Sequence, residues 1–90
     1  MIDKTVVITN PLGLHARPAA LIVQEAARFS AEITLSKGDV AHINGKSIMG
    51  VMMLAAENGA EVTIMADGED EAEALEKIAA LVQSNFEDTV

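Results

Sequence analysis

Apolar and polar positions alternate in four short stretches of this chain and recur at helical spacing in three others. Lys4 to Thr9, rich in Val, Ile and Thr, predicts a first strand. Asn10-Pro11-Leu12-Gly13 is a turn. From Ala16 to about Phe29 the spacing of Ala19, Ile22, Val23 and Ala26 makes one apolar helix stripe. Pro18 fits its first turn, where the N–H it lacks has no intrahelical partner. Glu32 to Ser36 alternates with Ile33 and Leu35 on one face, and Val40 to Ile43 follows the tight turn Lys37-Gly38-Asp39, which predicts a hairpin. Ser47 reads as the N-cap of a short helix ending near Leu54, with Val51 and Leu54 turned to the core. Glu61 to Ala66, with Val62 and Ile64 inward, is a fourth strand. Asp70 and Glu73 have the spacing of a capping box at the head of the last helix. Leu75, Ile78 and Val82 form that helix's buried stripe, flanked by Ala74 and Leu81, and the chain beyond Asn85 is expected to fray.

The order strand, helix, strand, strand, helix, strand, helix predicts one α+β domain over residues 1–90, with helices packed on a single face of one sheet. Half the residues are apolar and only Phe29 and Phe86 are aromatic, so the core is built from Ile, Val, Leu, Met and Ala. A formal net charge of −8 argues against nucleic acid and anionic membrane surfaces as partners. Without cysteine there are no disulfides and no thiolate metal sites. No apolar run reaches the roughly 18 residues of a membrane-spanning helix, and Asp3 interrupts any signal-peptide start. A cytoplasmic protein is expected.

The chemistry concentrates in Gly13-Leu14-His15-Ala16-Arg17-Pro18-Ala19-Ala20. Gly13 lets the chain bend sharply and approach another molecule closely. His15 falls at or beside the helix N-cap, facing the unpaired N–H groups of Ala16 and Arg17. Those amides and the helix dipole attract an anion, for which a phosphoryl group is the natural candidate. Arg17 adds a permanently charged fork that can hold two phosphate oxygens. His15 supplies a nucleophilic ring nitrogen, so the histidine itself is expected to carry the phosphoryl group. The plain alternative, an exposed cap residue beside an ordinary surface arginine, leaves that arrangement without a reason.

This octapeptide resembles the active-site signature of the HPr family, the histidine-containing phosphocarriers of the bacterial phosphotransferase system. Asn44-Gly45-Lys46-Ser47-Ile48-Met49-Gly50-Val51-Met52-Met53-Leu54 is similar to that family's regulatory-serine region. Both motifs lie at the family's usual positions, and the likeness runs over essentially the whole chain. It implies an open-faced sandwich, a four-stranded antiparallel sheet with three helices on one face. It also implies transfer from the phosphohistidine of enzyme I to His15, at Nδ1, and onward to IIA-type proteins. The protein would then be a covalent carrier without turnover of its own, needing no cofactor and no metal.

Ser47 is first a helix cap, yet added negative charge is tolerated at a helix N-terminus. The resemblance implies phosphorylation of Ser47 by the HPr kinase/phosphorylase of the Gram-positive branch, with Lys46 placed to neutralise the product. Ile48, Met49 and Met52 exceed what one buried face can use and predict an exposed docking patch. Partners would meet it together with His15, Arg17, Ala20 and Gln24. Gln24 and Ala27 stand where many relatives carry basic residues, with Arg28 nearby, so electrostatic steering is weaker here. The run Gly45 to Ala56 also resembles NPr, the family's nitrogen-related branch. A regulatory binding module that never carries phosphate on histidine is the other alternative. A metal site using His15 and His42 lacks further ligands, and His42 is read as a plain exposed strand residue. A monomer is expected.

Overall fold

Four short strands pair into one sheet, and the helices between and after them cover one of its faces. The computed structural model describes residues 1–84, so the tail expected to fray beyond Asn85 lies outside the described residues. In order, the elements are β1 (Ile2–Val7), α1 (Ala16–Ala26), β2 (Glu32–Lys37), β3 (Val40–Asn44), α2 (Ile48–Met53), β4 (Glu61–Asp67) and α3 (Glu71–Gln83). The strands form one sheet ordered β1-β4-β2-β3, with every neighbouring pair antiparallel. β1 starts at Ile2 instead of Lys4 because β4 extends to Ala66, opposite Ile2. Past Val7 the ladder gives way to two separate bonds, Ile8 N–H to Ala60 O (2.9 Å) and Gly59 N–H to Ile8 O (2.7 Å).

Cross-strand register puts Val6 against Val62, Leu35 against Ile64 and Ile33 against Ala66, and all six are buried. Successive strand residues point to opposite faces, so these define the core face. Ala19, Ile22, Val51, Leu54, Leu75, Ile78 and Val82 cover it from the helices. In α1 the buried stripe includes Pro18, while Val23 is only partly buried. The other face carries Thr5, Thr34, Ser36 and Thr63, with the Thr5 and Thr63 hydroxyls 2.9 Å apart. Six residues are too few for a helix to stand alone in water, so α2 depends on its anchors. Val51 and Leu54 are fully buried, each contributing about 1.5–3 kcal/mol.

Three local expectations need correction. α1 ends at Ala26, not near Phe29, because the last turn tightens. Arg28 N–H reaches Glu25 O (3.1 Å) and Phe29 N–H reaches Ala26 O (3.2 Å), which are three-residue bonds. The capping box at α3 does not form. Asp70 occupies the N-cap, but its carboxylate accepts from the N–H groups of Ser30 and Ala31, both at 2.9 Å. Glu71, not Glu73, folds back to accept from Gly68 N–H at 3.0 Å. His42 is exposed but is no ordinary strand residue. Its φ of 58° lies in the left-handed region, where the β2–β3 register shifts, and its N–H donates to Ser36 Oγ at 3.0 Å.

Asp70 therefore joins the end of α1 to the start of α3. The N–H of Ser30 chiefly, and that of Ala31 after it, hold its carboxyl below the ordinary carboxylate value. A group depressed in the folded state stabilises above its unfolded pKa, near 4, and loses that contribution as pH falls through the folded value. Asp70→Asn should therefore lower the melting temperature at pH 7, and the difference from wild type should shrink below about pH 4. A difference that stayed constant down to pH 2.5 in thermal melts would contradict this tie.

Candidate functional site

His15 is the N-cap of α1, with extended backbone (φ −79°, ψ −169°). Its ring is exposed and makes no capping hydrogen bond. Ala19 N–H to His15 O (3.0 Å) enters the helix, and Pro18 has no N–H. The N–H groups of Ala16 and Arg17 consequently meet no acceptor among the described residues. The first turn contains no acidic residue to occupy them. Arg17 is exposed and makes no ion pair among the described residues, whereas Arg28 is on Glu25 and Lys37 on Glu57, each at 3.2 Å. One free imidazole, two free amides and one free guanidinium thus lie within three consecutive residues. The arrangement is suited to a tetrahedral anion bonded to the ring.

The backbone behind His15 is fixed from two directions. Asn10 is buried, its side-chain amide donates to Gly13 O, and Gly13 N–H returns to Asn10 O at 3.0 Å. Leu14 N–H then donates to Ala56 O at 2.8 Å. The close approach that Gly13 permits is made here to this chain's own backbone. With φ at +67°, a Cβ there would stand 2.3 Å from Ala56 O and 2.8 Å from Glu57 Cα. The turn before His15 is thereby seated on the segment that follows α2.

At the second motif, Ser47 is the N-cap of α2 and its Oγ accepts from Gly50 N–H at 3.1 Å. Lys46 turns away from that hydroxyl, donating its ammonium to Phe29 O at 2.7 Å. Ile48, Met49 and Met52 are exposed, Met49 by 76%, as are Met53 and Leu12. Gln24 is exposed and Ala20 half-buried on α1, which packs against α2. A separate groove of about 340 Å³, lined by Glu32, Ile33, Thr34, His42, Asn44 and Lys46, does not include His15. Among the described residues no three His, Cys, Asp or Glu side chains gather as metal ligands. None of their helices is long and apolar enough to cross a membrane.

The family model for PTS-HPr, the PTS HPr component phosphorylation site, matches residues 2–84. The chain belongs to the HPr family. Phosphocarrier protein HPr of Treponema pallidum (strain Nichols) is 50% identical over 88 residues, 98% of this chain and 99% of the relative. HPr-like protein Crh of Bacillus subtilis (strain 168) is 55% identical over 83 residues, 92% of this chain and 96% of the relative. Among solved structures, HPr-C-His from Thermoanaerobacter tengcongensis has a TM-score of 0.89 at 45% identity and covers 96% of each chain. A Crh crystal structure from Bacillus subtilis, with a swapped domain in a dimer, has a TM-score of 0.74 at 54% identity, over 93% of this chain and 95% of that one. The four-stranded antiparallel sheet with three helices is thus the fold of HPr structures.

Within this HPr-family chain, His15, Ala16 and Arg17 come together as the sequence suggests. Asn10 and Ala56, which seat the turn, were not singled out by sequence. Asn at the first position of a turn was the available signal for Asn10, because its side chain readily bonds backbone a few residues on. Ala56 has no signal, since any residue supplies a carbonyl. Gly13→Ala should cost roughly 2 kcal/mol or more, from left-handed strain plus the clash with Ala56. Urea denaturation checks it, and a midpoint equal to wild type would mean that the turn is not seated on Ala56.

Proposed function

We propose that this protein is a phosphocarrier that accepts a phosphoryl group on His15 from the phosphohistidine of enzyme I and passes it to IIA-type proteins. The observation that carries the reading is the exposed, unpartnered imidazole of His15 at the mouth of α1, beside the free N–H groups of Ala16 and Arg17 and the unpaired Arg17 guanidinium. In the transfer, the donor's P–N bond breaks as a new P–N bond forms to a ring nitrogen of His15. The three phosphoryl oxygens then meet the two amides and the guanidinium. Such transfer rests on positioning and charge stabilisation, which a small surface site can supply. The chain is a carrier, not a catalyst with turnover of its own, and it works in the cytoplasm as a monomer. The swapped Crh dimer supplies the alternative assembly, and light scattering in solution separates the two.

Incubated with enzyme I and phosphoenolpyruvate, the protein should gain one acid-labile phosphoryl group that is absent from His15→Ala. Arg17→Ala should keep the fold and slow transfer about tenfold to a hundredfold, the worth of a charge-assisted contact of roughly 1.5–3 kcal/mol. Equal rates would remove Arg17 from the mechanism. Absence of an adduct with sugar-branch or nitrogen-branch enzyme I would favour the regulatory-module reading. The likeness to Crh, described in its solution structure as a catabolite repression HPr, supports that second reading.

Ser47 is proposed as a regulatory phosphorylation site, with HPr kinase/phosphorylase as its modifying partner. Ser47 is half-buried and precedes the Ile48, Met49 and Met52 surface at which enzyme I and IIA-type proteins would dock, with Ala20 and Gln24 completing the patch. Lys46 could help neutralise the phosphate only by leaving Phe29 O. A dianion beside this apolar surface would disfavour docking. Ser47→Asp should weaken binding to enzyme I severalfold in calorimetry. Unchanged affinity would count against a docking role for the patch.

A further inference from the structure

Lys37 ends β2 and, through the chain, lies 22 residues from His15, yet it contacts the segment on which the His15 turn is seated. Its ammonium donates to Ala55 O at 2.9 Å and to Glu57 Oε1 at 3.2 Å. Ala55 follows α2 with φ at +53°, in the left-handed region. For a residue with a Cβ that conformation is strained and persists only where the surroundings enforce it. Ala55 N–H bonds Met52 O at 3.0 Å, and the Lys37 ammonium takes the Ala55 carbonyl. One residue further on, Ala56 O receives Leu14 N–H, and Gly13 packs against the same peptide.

The two contacts of Lys37 are unequal. The Glu57 side chain is 72% exposed and that of Lys37 only 26%. A water-exposed ion pair contributes little, whereas a bond from a charged donor to a fixed carbonyl restrains backbone directly. Lys37 is itself held in the sheet by pairing with Val40 of β3, and the residue before it, Ser36, pairs with Thr63 of β4, so the ammonium acts from an anchored strand end.

We propose that Lys37 is a positioning residue for His15, holding Ala55 in its strained conformation and so fixing the Ala56 carbonyl on which the entry to α1 rests. This builds on the reading of His15 as phosphoryl acceptor. Without the ammonium, Ala55 relaxes toward ordinary φ and carries the Ala56 carbonyl away from Leu14. The His15 ring and the Ala16 and Arg17 amides then lose their common reference. A glycine at position 55 adopts the same φ without strain and removes the need for the clamp.

The test compares wild type, Lys37→Met, Glu57→Gln and the double variant Lys37→Met/Ala55→Gly. Two quantities are read: the rate of phosphoryl acceptance from enzyme I and phosphoenolpyruvate, and hydrogen exchange at the Leu14 amide. Lys37→Met keeps the apolar stem and should slow acceptance about threefold to tenfold while speeding Leu14 exchange. Glu57→Gln should match wild type in both, and Ala55→Gly should restore both in the Lys37→Met background. A Lys37→Met variant indistinguishable from wild type would overturn the proposal. Slowing that Ala55→Gly does not restore would overturn it too, since that marks a charge acting on the donor. If the wild type accepts no phosphoryl group, the carrier reading fails separately, and Leu14 exchange alone decides the clamp. Faster exchange restored by glycine then upholds it, and unchanged exchange refutes it.

Discussion

A hydrogen bond of 2.8 Å from Leu14 N–H to Ala56 O joins the proposed phosphoryl-binding turn to the segment behind the proposed docking patch. On one side of it stands the turn that delivers His15 to the head of α1. On the other is the segment leaving α2, whose exposed methionines form the proposed docking patch. The contact is possible only because residue 13 has no Cβ, since the two backbones approach more closely than any side chain allows. Together with the packing of α1 on α2, this backbone contact fixes the candidate acceptor and the candidate docking surface relative to each other. A carrier that must fit several partners through a single small face has a use for that rigidity.

The surrounding fold makes the contact inexpensive to maintain. Sheet pairing sets the ends of β1 and β4, and Gly59 N–H bonding Ile8 O keeps the start of the turn near the chain that follows α2. Val51 and Leu54 pin α2 from below, leaving its upper side free for Ile48, Met49 and Met52. The core's apolar burial, at about 1.5–3 kcal/mol for each full Leu or Ile, outweighs the left-handed strain at Ala55 and His42. The fold can therefore hold two residues in conformations that alanine and histidine rarely adopt.

The element order was legible because period-two and helical periods alternate clearly along the chain, from Val6 and Ile8 to Leu75, Ile78 and Val82. Strand ends were not, since they depend on a partner strand that no local pattern describes. The acidic residues at α3 misled for a related reason. Asp70 had two ways to satisfy its carboxylate, and the tertiary amides of Ser30 and Ala31 outcompeted the local cap. His15, Arg17 and Ser47 stand out as candidates by residue type, because the chemistry proposed for them lies in their side chains. Ala56 contributes only a carbonyl, and Lys37 gains meaning only once Ala55 is seen at positive φ.

In the proposed carrier, an anion bonded to His15 is received by the open end of α1. Backbone amide proton shifts, recorded by NMR before and after phosphorylation of His15, report on that contact. The amides of Ala16 and Arg17 should move strongly downfield as they acquire an acceptor, while Leu14, already bonded to Ala56, moves little. Phosphorylated protein in which the Ala16 and Arg17 amides stay put would rule that contact out.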